Sequence, residues 1–496
     1  MFANRNILLS SDSYKLSHFL QYPKTASGMH SYIEARHNNS GIHGLRGTVF
    51  FGLQAYIREY LLHPITKADI EELAEVAAAH GEPCPTDLLG KIITNYGGYL
   101  PIVIKAVPEG TFVPFGNALV TVECEDPDLF WLASYIETQI LRAVWYPTTV
   151  ATISKWDREI IQEALNKTSD DPSQIGFKLH DFGARGVSSG ESATLGGMGH
   201  LVNFLGTDTM EALVGARRFY SNQMAGFSIP AAEHSTITSW GRENETEAYR
   251  NMIKQFSKPG AIYAVVSDSY NIDEAVDKKW GEELKAEVIA GGGLLVVRPD
   301  SGDPVDTPIH VIRSLAKRFG ATLNSKGYYV LNGVRVIQGD GIDSDSIASI
   351  LRSLELCNFS ADNIAFGKGG AGLQKVDRDT FSFAMKCSAI KHDDGTWSDV
   401  YKDPVAGGKT SKRGRLALVA SSEDKLEYGE YVQRNTLETI RIEELGEGEP
   451  NLLEVIYDKG FLMKTQTLDE IRWRAVKTYA TYNTPISVEK PKDVVV

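Results

Sequence analysis

His234 stands in the run Ile229-Pro230-Ala231-Ala232-Glu233-His234-Ser235-Thr236, beside a glutamate and ahead of two hydroxyl residues. An imidazole titrates near neutrality, so this side chain can serve as nucleophile, base or phosphate partner. It can equally be structural, and its company bears on the choice. Five short apolar runs lead straight into groups suited to phosphate or metal. These are Asp181-Phe182-Gly183-Ala184-Arg185-Gly186, Ser267-Asp268-Ser269, Arg298-Pro299-Asp300-Ser301-Gly302, Gln338-Gly339-Asp340-Gly341 and Gly367-Lys368-Gly369-Gly370. Glycine lets backbone N–H groups close on phosphate oxygens, and a following helix adds its positive end. Arg185, Arg298, Arg378 and Lys386 are cations for several phosphates. Asp268, Asp300 and Asp340 are carboxylates for Mg2+, which takes few protein ligands beside substrate phosphate. Each has a plainer use: Arg298 as a bridge between loops, each aspartate as a helix cap. No P-loop motif is present, and no Rossmann-type dinucleotide site is expected.

The elements that must position these groups follow from patterning. The chain has 496 residues, 42% hydrophobic and 23% charged, a globular composition long enough for two or more cores. Between about 175 and 370, short β-rich runs alternate with amphipathic segments. The runs are Phe177-Lys178-Leu179-His180, Ile262-Tyr263-Ala264-Val265-Val266, Leu294-Leu295-Val296-Val297, Val334-Arg335-Val336-Ile337 and Asn363-Ile364-Ala365-Phe366. A helix is expected after Thr307-Pro308, closed by Gly320, and another from Asp343 with Ile347, Ile350, Leu351 and Leu354 on one face. Such alternation implies parallel strands with right-handed crossovers. After about 385 it stops. The expected fold class is α/β: a central irregular, TIM-like α/β barrel over 149–384, flanked by a discontinuous α+β domain of 1–148 and 385–496. A helix capped by Asp128 is expected to end at Tyr146-Pro147. In such barrels the site lies at the C-terminal strand ends, with phosphate on the last two loops, which here are the glycine-rich ones.

The net charge of −13 excludes general nucleic-acid attraction, so any anionic ligand depends on a local cluster of cations. Cys84, Cys124, Cys357 and Cys387 show no CxxC spacing. They argue for the reducing cytoplasm and against a disulfide framework or zinc site. No signal peptide and no membrane span is expected.

Longer motifs then become recognisable in order: Ser11-Asp12-Ser13-Tyr14-Lys15, Lys178-Leu179-His180-Asp181-Phe182-Gly183, Gly206-Thr207-Asp208-Thr209, Pro230-Ala231-Ala232-Glu233-His234-Ser235, Arg298-Pro299-Asp300-Ser301-Gly302 and Gln338-Gly339-Asp340-Gly341. From about residue 6 to about 480 the chain resembles the nicotinate/nicotinamide phosphoribosyltransferase family, type II phosphoribosyltransferases, in its nicotinamide-using branch. The resemblance implies synthesis of nicotinamide mononucleotide and diphosphate from nicotinamide and phosphoribosyl pyrophosphate, in a homodimer with shared active sites. It implies Mg2+, and ATP as a coupled co-substrate that phosphorylates His234. Phe182 resembles one face of the sandwich around the pyridine ring; Tyr14 of the Asp12-Ser13-Tyr14 motif, from the partner subunit, resembles the other. Asp208 resembles the acceptor for the carboxamide. Arg185, His234 and Arg298 resemble diphosphate contacts. Arg298, Pro299, Asp300, Gly339, Asp340, Gly369, Gly370 and Arg378 resemble ribose and phosphate contacts, with Arg36, Lys386 and Lys409 as further cations.

Ala184 stands where some members have tyrosine, Ala264 where some have serine, and Lys368 where some have a small polar residue. Lys368 either adds a phosphate contact or faces solvent. Asp208 is either the amide acceptor or a helix cap, or both, and Glu233 either orients the imidazole or faces solvent. A nicotinate-using relative and a catalytically silent binding protein on the same fold are the competing readings.

Overall fold

The computed structural model describes residues 6–404, 411–427 and 430–477, with the side chains of 421–436 left aside. The chain forms two compact units: Met1–Thr152 with Arg218–Asn222 and Asp377–Val496, and Ile153–Arg217 with Gln223–Val376. These differ from the expected boundaries at 148 and 385, and the excursion at 218–222 had no signal in the sequence. Its attachment to the first unit is specific. Gln54 Nε2 donates to the Phe219 carbonyl at 2.7 Å, the Tyr220 hydroxyl donates to Glu109 Oε2 at 2.8 Å, and Phe51 stacks on Tyr220 at 5.1 Å between centroids.

In the first unit a seven-stranded sheet runs in the order Trp397–Asp399, Phe383–His392, Ala26–Ala35, Ala118–Cys124, Val103–Ala106, Glu454–Asp458, Phe461–Leu462, every pair antiparallel. The helix expected to stop at Pro147 runs instead over Glu137–Thr168, with the proline inside. Proline removes the helical donor to the Ala143 carbonyl and ordinarily breaks a helix. Here the backbone of Gly52 lies against that turn: a Cβ on it would fall 2.3 Å from Pro147 Cγ and 2.9 Å from the Ala143 oxygen. Threonine hydroxyls then stitch the neighbouring turns. Thr148 Oγ1 accepts from Phe51 N at 3.2 Å, and Thr152 Oγ1 accepts from Val49 N at 2.9 Å. Tertiary hydrogen bonds thus carry the helix past its weak point.

The second unit is built on six strands, β1 (Leu179–Asp181), β2 (Gly206–Thr207), β3 (Ile262–Val266), β4 (Leu294–Arg298), β5 (Val334–Gln338) and β6 (Ile364–Lys368). They lie in the order β2-β1-β6-β5-β4-β3, and all pairs are parallel. Residues 227–232 meet both edges. Phe227 bridges to Gly206 of β2, with Thr207 N donating to the Phe227 carbonyl at 3.0 Å. Ala231 bridges to Ala264 of β3, with Ala264 N donating to the Pro230 carbonyl at 2.9 Å. The sheet therefore closes into an irregular barrel, as the alternation led one to expect. Side chains alternate across its wall. Ala264, Val296 and Ile337 form an inner cluster with Ile229, Ala365 and Phe182 against it, while Val265, Val297, Val336 and Phe366 pack outward under the helices. Two of those helices are Asp306–Phe319 and Ser344–Leu356, the second opened by a capping box from Asp343.

Candidate active site

The C-terminal mouth of the barrel gathers most of the residues singled out above. Asp181, buried at the end of β1, accepts from Gly183 N at 2.7 Å and from Thr207 Oγ1 at 3.4 Å, which fixes the turn that carries Phe182. Phe182 N donates to the Lys368 carbonyl of β6 at 3.0 Å. The ring lies flush on Gly367: a Cβ there would stand 2.0 Å from Phe182 Cε2. The Arg298 guanidinium is 5.8 Å from the ring centroid. A Cβ on Gly339 would come within 3.4 Å of Asp300 Oδ1, 3.5 Å of Phe182 Cε2 and 3.6 Å of Arg298 Nε, so three strand ends converge on one aromatic ring.

Charge is arranged in a second cluster. Arg298 grips Asp300 with two parallel bonds of 3.0 and 2.7 Å. His234 Nε2 lies 3.0 Å from Asp268 Oδ1, while Nδ1 is 3.9 Å from Asp300 Oδ2, beyond hydrogen-bond reach. The His234 side chain is 48% exposed, so a ligand can reach it. Asp268 Oδ2 accepts from Asp300 N at 3.0 Å and Ser301 Oγ at 2.5 Å. Burial pushes the Asp268 carboxyl up, but the bonds from Ser301, His234 and Asp300 N outweigh it and hold the group below its usual range.

Several expectations are corrected here. Of the two uses left open for Glu233, exposure holds: it is exposed and accepts from Ser235 Oγ, while Asp268 is the residue bonded to the imidazole. Asp268, Asp300 and Asp340 do not form a ready metal cage: among the described residues no three His, Cys, Asp or Glu side chains are gathered to hold an ion. Asp268 is committed to His234 and Ser301, and Asp300 to Arg298. Asp340 is exposed and its carboxylate makes no hydrogen bond among the described residues, although its carbonyl accepts from Gln338 Nε2 at 2.9 Å. Lys368 neither faces solvent nor reaches toward phosphate. It is buried, with Nζ 2.7 Å from Asp157 Oδ2.

Asp208 is exposed at the end of β2, and its carboxylate accepts from Ser228 Oγ at 2.5 Å. The amide of Thr209, just before the helix Met210–Tyr220, donates to Thr207 Oγ1 at 3.0 Å. Arg185 is exposed on the turn after β1, and Pro299 is buried beside Asp300. Gly369 and Gly370 follow β6, where Gly370 packs so close to Gly186 that a Cβ on the latter would lie 3.2 Å from Gly370 Cα. Residues Gly367-Lys368-Gly369-Gly370-Ala371-Gly372 do spell a G-x-G-x-x-G spacing between strand and helix. The helix, Gly370–Leu373, is a single turn, and the first glycine serves the Phe182 ring.

The remaining residues belong to the first unit. Asp12 accepts from Thr138 Oγ1 at 2.6 Å, and Tyr14 is 55% exposed. Arg36 Nε donates to the Ser382 carbonyl at 3.0 Å, Arg378 pairs with Asp379 at 3.1 Å, and Lys386 is exposed opposite Tyr32. Lys409 lies outside the described residues. Ser228 was not singled out from sequence, and Ile229 and Ser301 stood there only as members of longer runs. Their signal was position alone: two belong to the closing segment beside His234, and one follows Asp300.

A sequence model of the nicotinate phosphoribosyltransferase (NAPRTase) family matches residues 177–439. The chain belongs to this family. A second model, the N-terminal domain of nicotinamide phosphoribosyltransferase, matches residues 6–104 of this family member. It is 52% identical over 472 residues to a nicotinamide phosphoribosyltransferase of Xanthomonas campestris pv. campestris (strain 8004), covering 95% of this chain and 98% of that one. It is 30% identical over 511 residues to a nicotinamide phosphoribosyltransferase of Acinetobacter baylyi, covering 96% and 98%. Two solved structures share the fold: nicotinate-nucleotide pyrophosphorylase from Pyrococcus furiosus, with TM-score 0.57, 16% identity and 96% of each chain covered, and human nicotinic acid phosphoribosyltransferase, with TM-score 0.55, 15% identity and 94% and 93% covered.

Because Gly367 carries the Phe182 ring, Gly367→Ala must displace it. Affinity for a planar ring, titrated calorimetrically with nicotinamide, is expected to fall about tenfold or more. Unchanged affinity would show that Phe182 does not form the clamp.

Proposed function

We propose that this protein is a nicotinamide phosphoribosyltransferase, joining nicotinamide to phosphoribosyl pyrophosphate to give nicotinamide mononucleotide and diphosphate in NAD salvage. The observation that carries this reading is the placement of Phe182 and Asp208 directly after the neighbouring strands β1 and β2, at one end of a charged mouth. The identity to nicotinamide-named relatives over nearly the whole chain supports it.

The pyridine nitrogen already has its lone pair, so no base is needed to unmask it. What the transfer needs is the ring held in line and the departing diphosphate stabilised. Phe182 offers an aromatic face, and once the ring becomes a pyridinium cation that contact gains a cation–π contribution. Arg185 and Arg298, with the backbone of Gly339, Gly369 and Gly370, suit the ribose phosphate and diphosphate. The Asp208 carboxylate accepts from a carboxamide N–H2 and repels a carboxylate, which selects nicotinamide over nicotinate. The donor set suits Mg2+, a hard ion satisfied by one or two carboxylates and phosphate oxygens. Asp340, with its uncommitted carboxylate, would hold it, joined by Asp300 once substrate phosphate draws Arg298 away from their pair, and the ion would neutralise charge on the leaving group.

His234 is the acceptor of the ATP γ-phosphoryl group on this reading: a ring nitrogen attacks phosphorus and ADP leaves. Asp268 fixes the imidazole for that step. The protein acts as a homodimer in which Tyr14 of the partner subunit covers the second face of the ring, and Arg36, Arg378, Lys386 and Lys409 add cations on the phosphate side. Four free cysteines fit a cytoplasmic location. Among the described residues no helix is long and apolar enough to cross a membrane.

The deciding assay follows product formation from nicotinamide or nicotinate with phosphoribosyl pyrophosphate and Mg2+. Nicotinamide mononucleotide is expected as the main product. In Asp208→Asn the ratio of kcat/KM for amide over acid should drop about tenfold or more, since like-charge contact costs several kcal/mol. Preferred use of nicotinate by the wild type would sink the assignment. His234→Ala is expected to lose ATP stimulation and to retain no label from γ-labelled ATP; undiminished acceleration by ATP would refute the phosphohistidine. Tyr14→Ala and Asp300→Ala parents, each impaired, should recover activity on subunit exchange, and proven exchange without recovery would argue against a shared site.

A further inference from the structure

We infer that Lys368 is a positioning residue, whose buried ion pair with Asp157 locks the ring clamp and the phosphate turn into one piece; this rests on the function proposed above. Lys368 and Asp157 expose only 5% and 1% of their side chains, so neither can touch substrate. Three strand-end loops nevertheless meet at the pair. The Lys368 carbonyl accepts from Phe182 N at 3.0 Å, which ties in the loop after β1. Its methylenes lie beneath the turn after β6, where a Cβ on Gly372 would contact Lys368 Cγ at 3.4 Å. The second Asp157 oxygen accepts at 2.6 Å from Ser344 Oγ, the first residue of the helix that follows the Asp340 loop.

The loops also interlock directly. A Cβ on Gly183 would fall 2.6 Å from Leu373 Cγ, so the β1 and β6 loops cannot shift independently. A buried ion pair adds little net stability, because desolvation offsets its attraction, but it tolerates only one geometry. Lost geometry at this point would move the Phe182 ring and the Gly369–Gly370 turn together, and a displacement of about 1 Å can cost about a hundredfold in rate. The pair therefore acts on both substrates through one hinge point without meeting either.

The test compares Lys368→Met, Ser344→Ala and the double variant Lys368→Met/Asp157→Leu with wild type. In Lys368→Met, KM for nicotinamide and for phosphoribosyl pyrophosphate should rise in parallel, by about tenfold or more. Ser344→Ala keeps the ion pair and should give a smaller parallel rise. The double variant removes both charges, so its urea midpoint should return toward wild type while both KM values stay raised. Normal KM values with only a loss of stability or of active protein would overturn the proposal, as would KM values that recover with stability. If Lys368→Met does not fold, unchanged KM values in Ser344→Ala overturn it. Binding of inorganic pyrophosphate with Mg2+, read by calorimetry, should weaken in the same order and needs no turnover. A wild type inactive on nicotinamide would therefore defeat the assigned reaction alone, whereas equal pyrophosphate affinity across the variants would defeat the positioning role.

Discussion

A six-stranded parallel sheet has two unpaired edges, and in the second unit residues 227–232 hydrogen-bond to both. An open edge leaves N–H and C=O groups without partners and the inner face exposed. Closure turns that face into a lumen, lined by Ala264, Val296, Ile337, Ala365 and Ile229, on which the Phe182 ring can rest. The closing segment also brings polar groups to the mouth. It carries Ser228, which holds Asp208, and it leads directly to His234. Pro230 fits there because a proline can still accept through its carbonyl, as it does from Ala264 N, although it cannot donate.

Around the lumen the electrostatics are prepaid. The chain as a whole carries −13, yet the mouth collects arginines and holds its carboxylates in fixed pairs. Arg298 is oriented by Asp300, His234 by Asp268, and Asp268 in turn by Ser301 and a backbone amide. Donors fixed before a polyanion arrives need little reorganisation when charge develops on it. Asp340, exposed and uncommitted, is the contrasting case, and that suits a group that gains its partner only with the substrate.

Much of this was legible in the chain. The strand–helix alternation named five of the six strands to within a residue or two, because buried parallel strands read as apolar runs closed by turn residues. β2, two residues long, has too little pattern to be seen. The helix start at Asp343 was readable because its cap is local. Pro147 misled, because what carries its helix onward is a distant glycine and hydroxyls bonded across the fold. The same holds at the site. Asp300, Arg298 and Phe182 were readable from position after a strand and His234 from its own polar stretch, but who pairs with whom was not. Asp268, expected as a metal ligand, holds the His234 ring instead, and Lys368 turns inward, because partner choice depends on three-dimensional neighbours that spacing does not encode.

The order of strands around the barrel has a consequence for how the protein is made. β1 pairs with β6, so the barrel's first strand meets its last, and Phe182 N is bonded to the Lys368 carbonyl across that seam. Loop-closure entropy has to be met before such a distant contact can form. A nascent chain can assemble β3, β4 and β5 as each neighbour emerges, but the seat of Phe182 on Gly367 waits for β6. During synthesis, the seat of the Phe182 side chain is therefore completed in one late step rather than by degrees, and any chain cut short of β6 would hold most of the barrel's sequence without that seat.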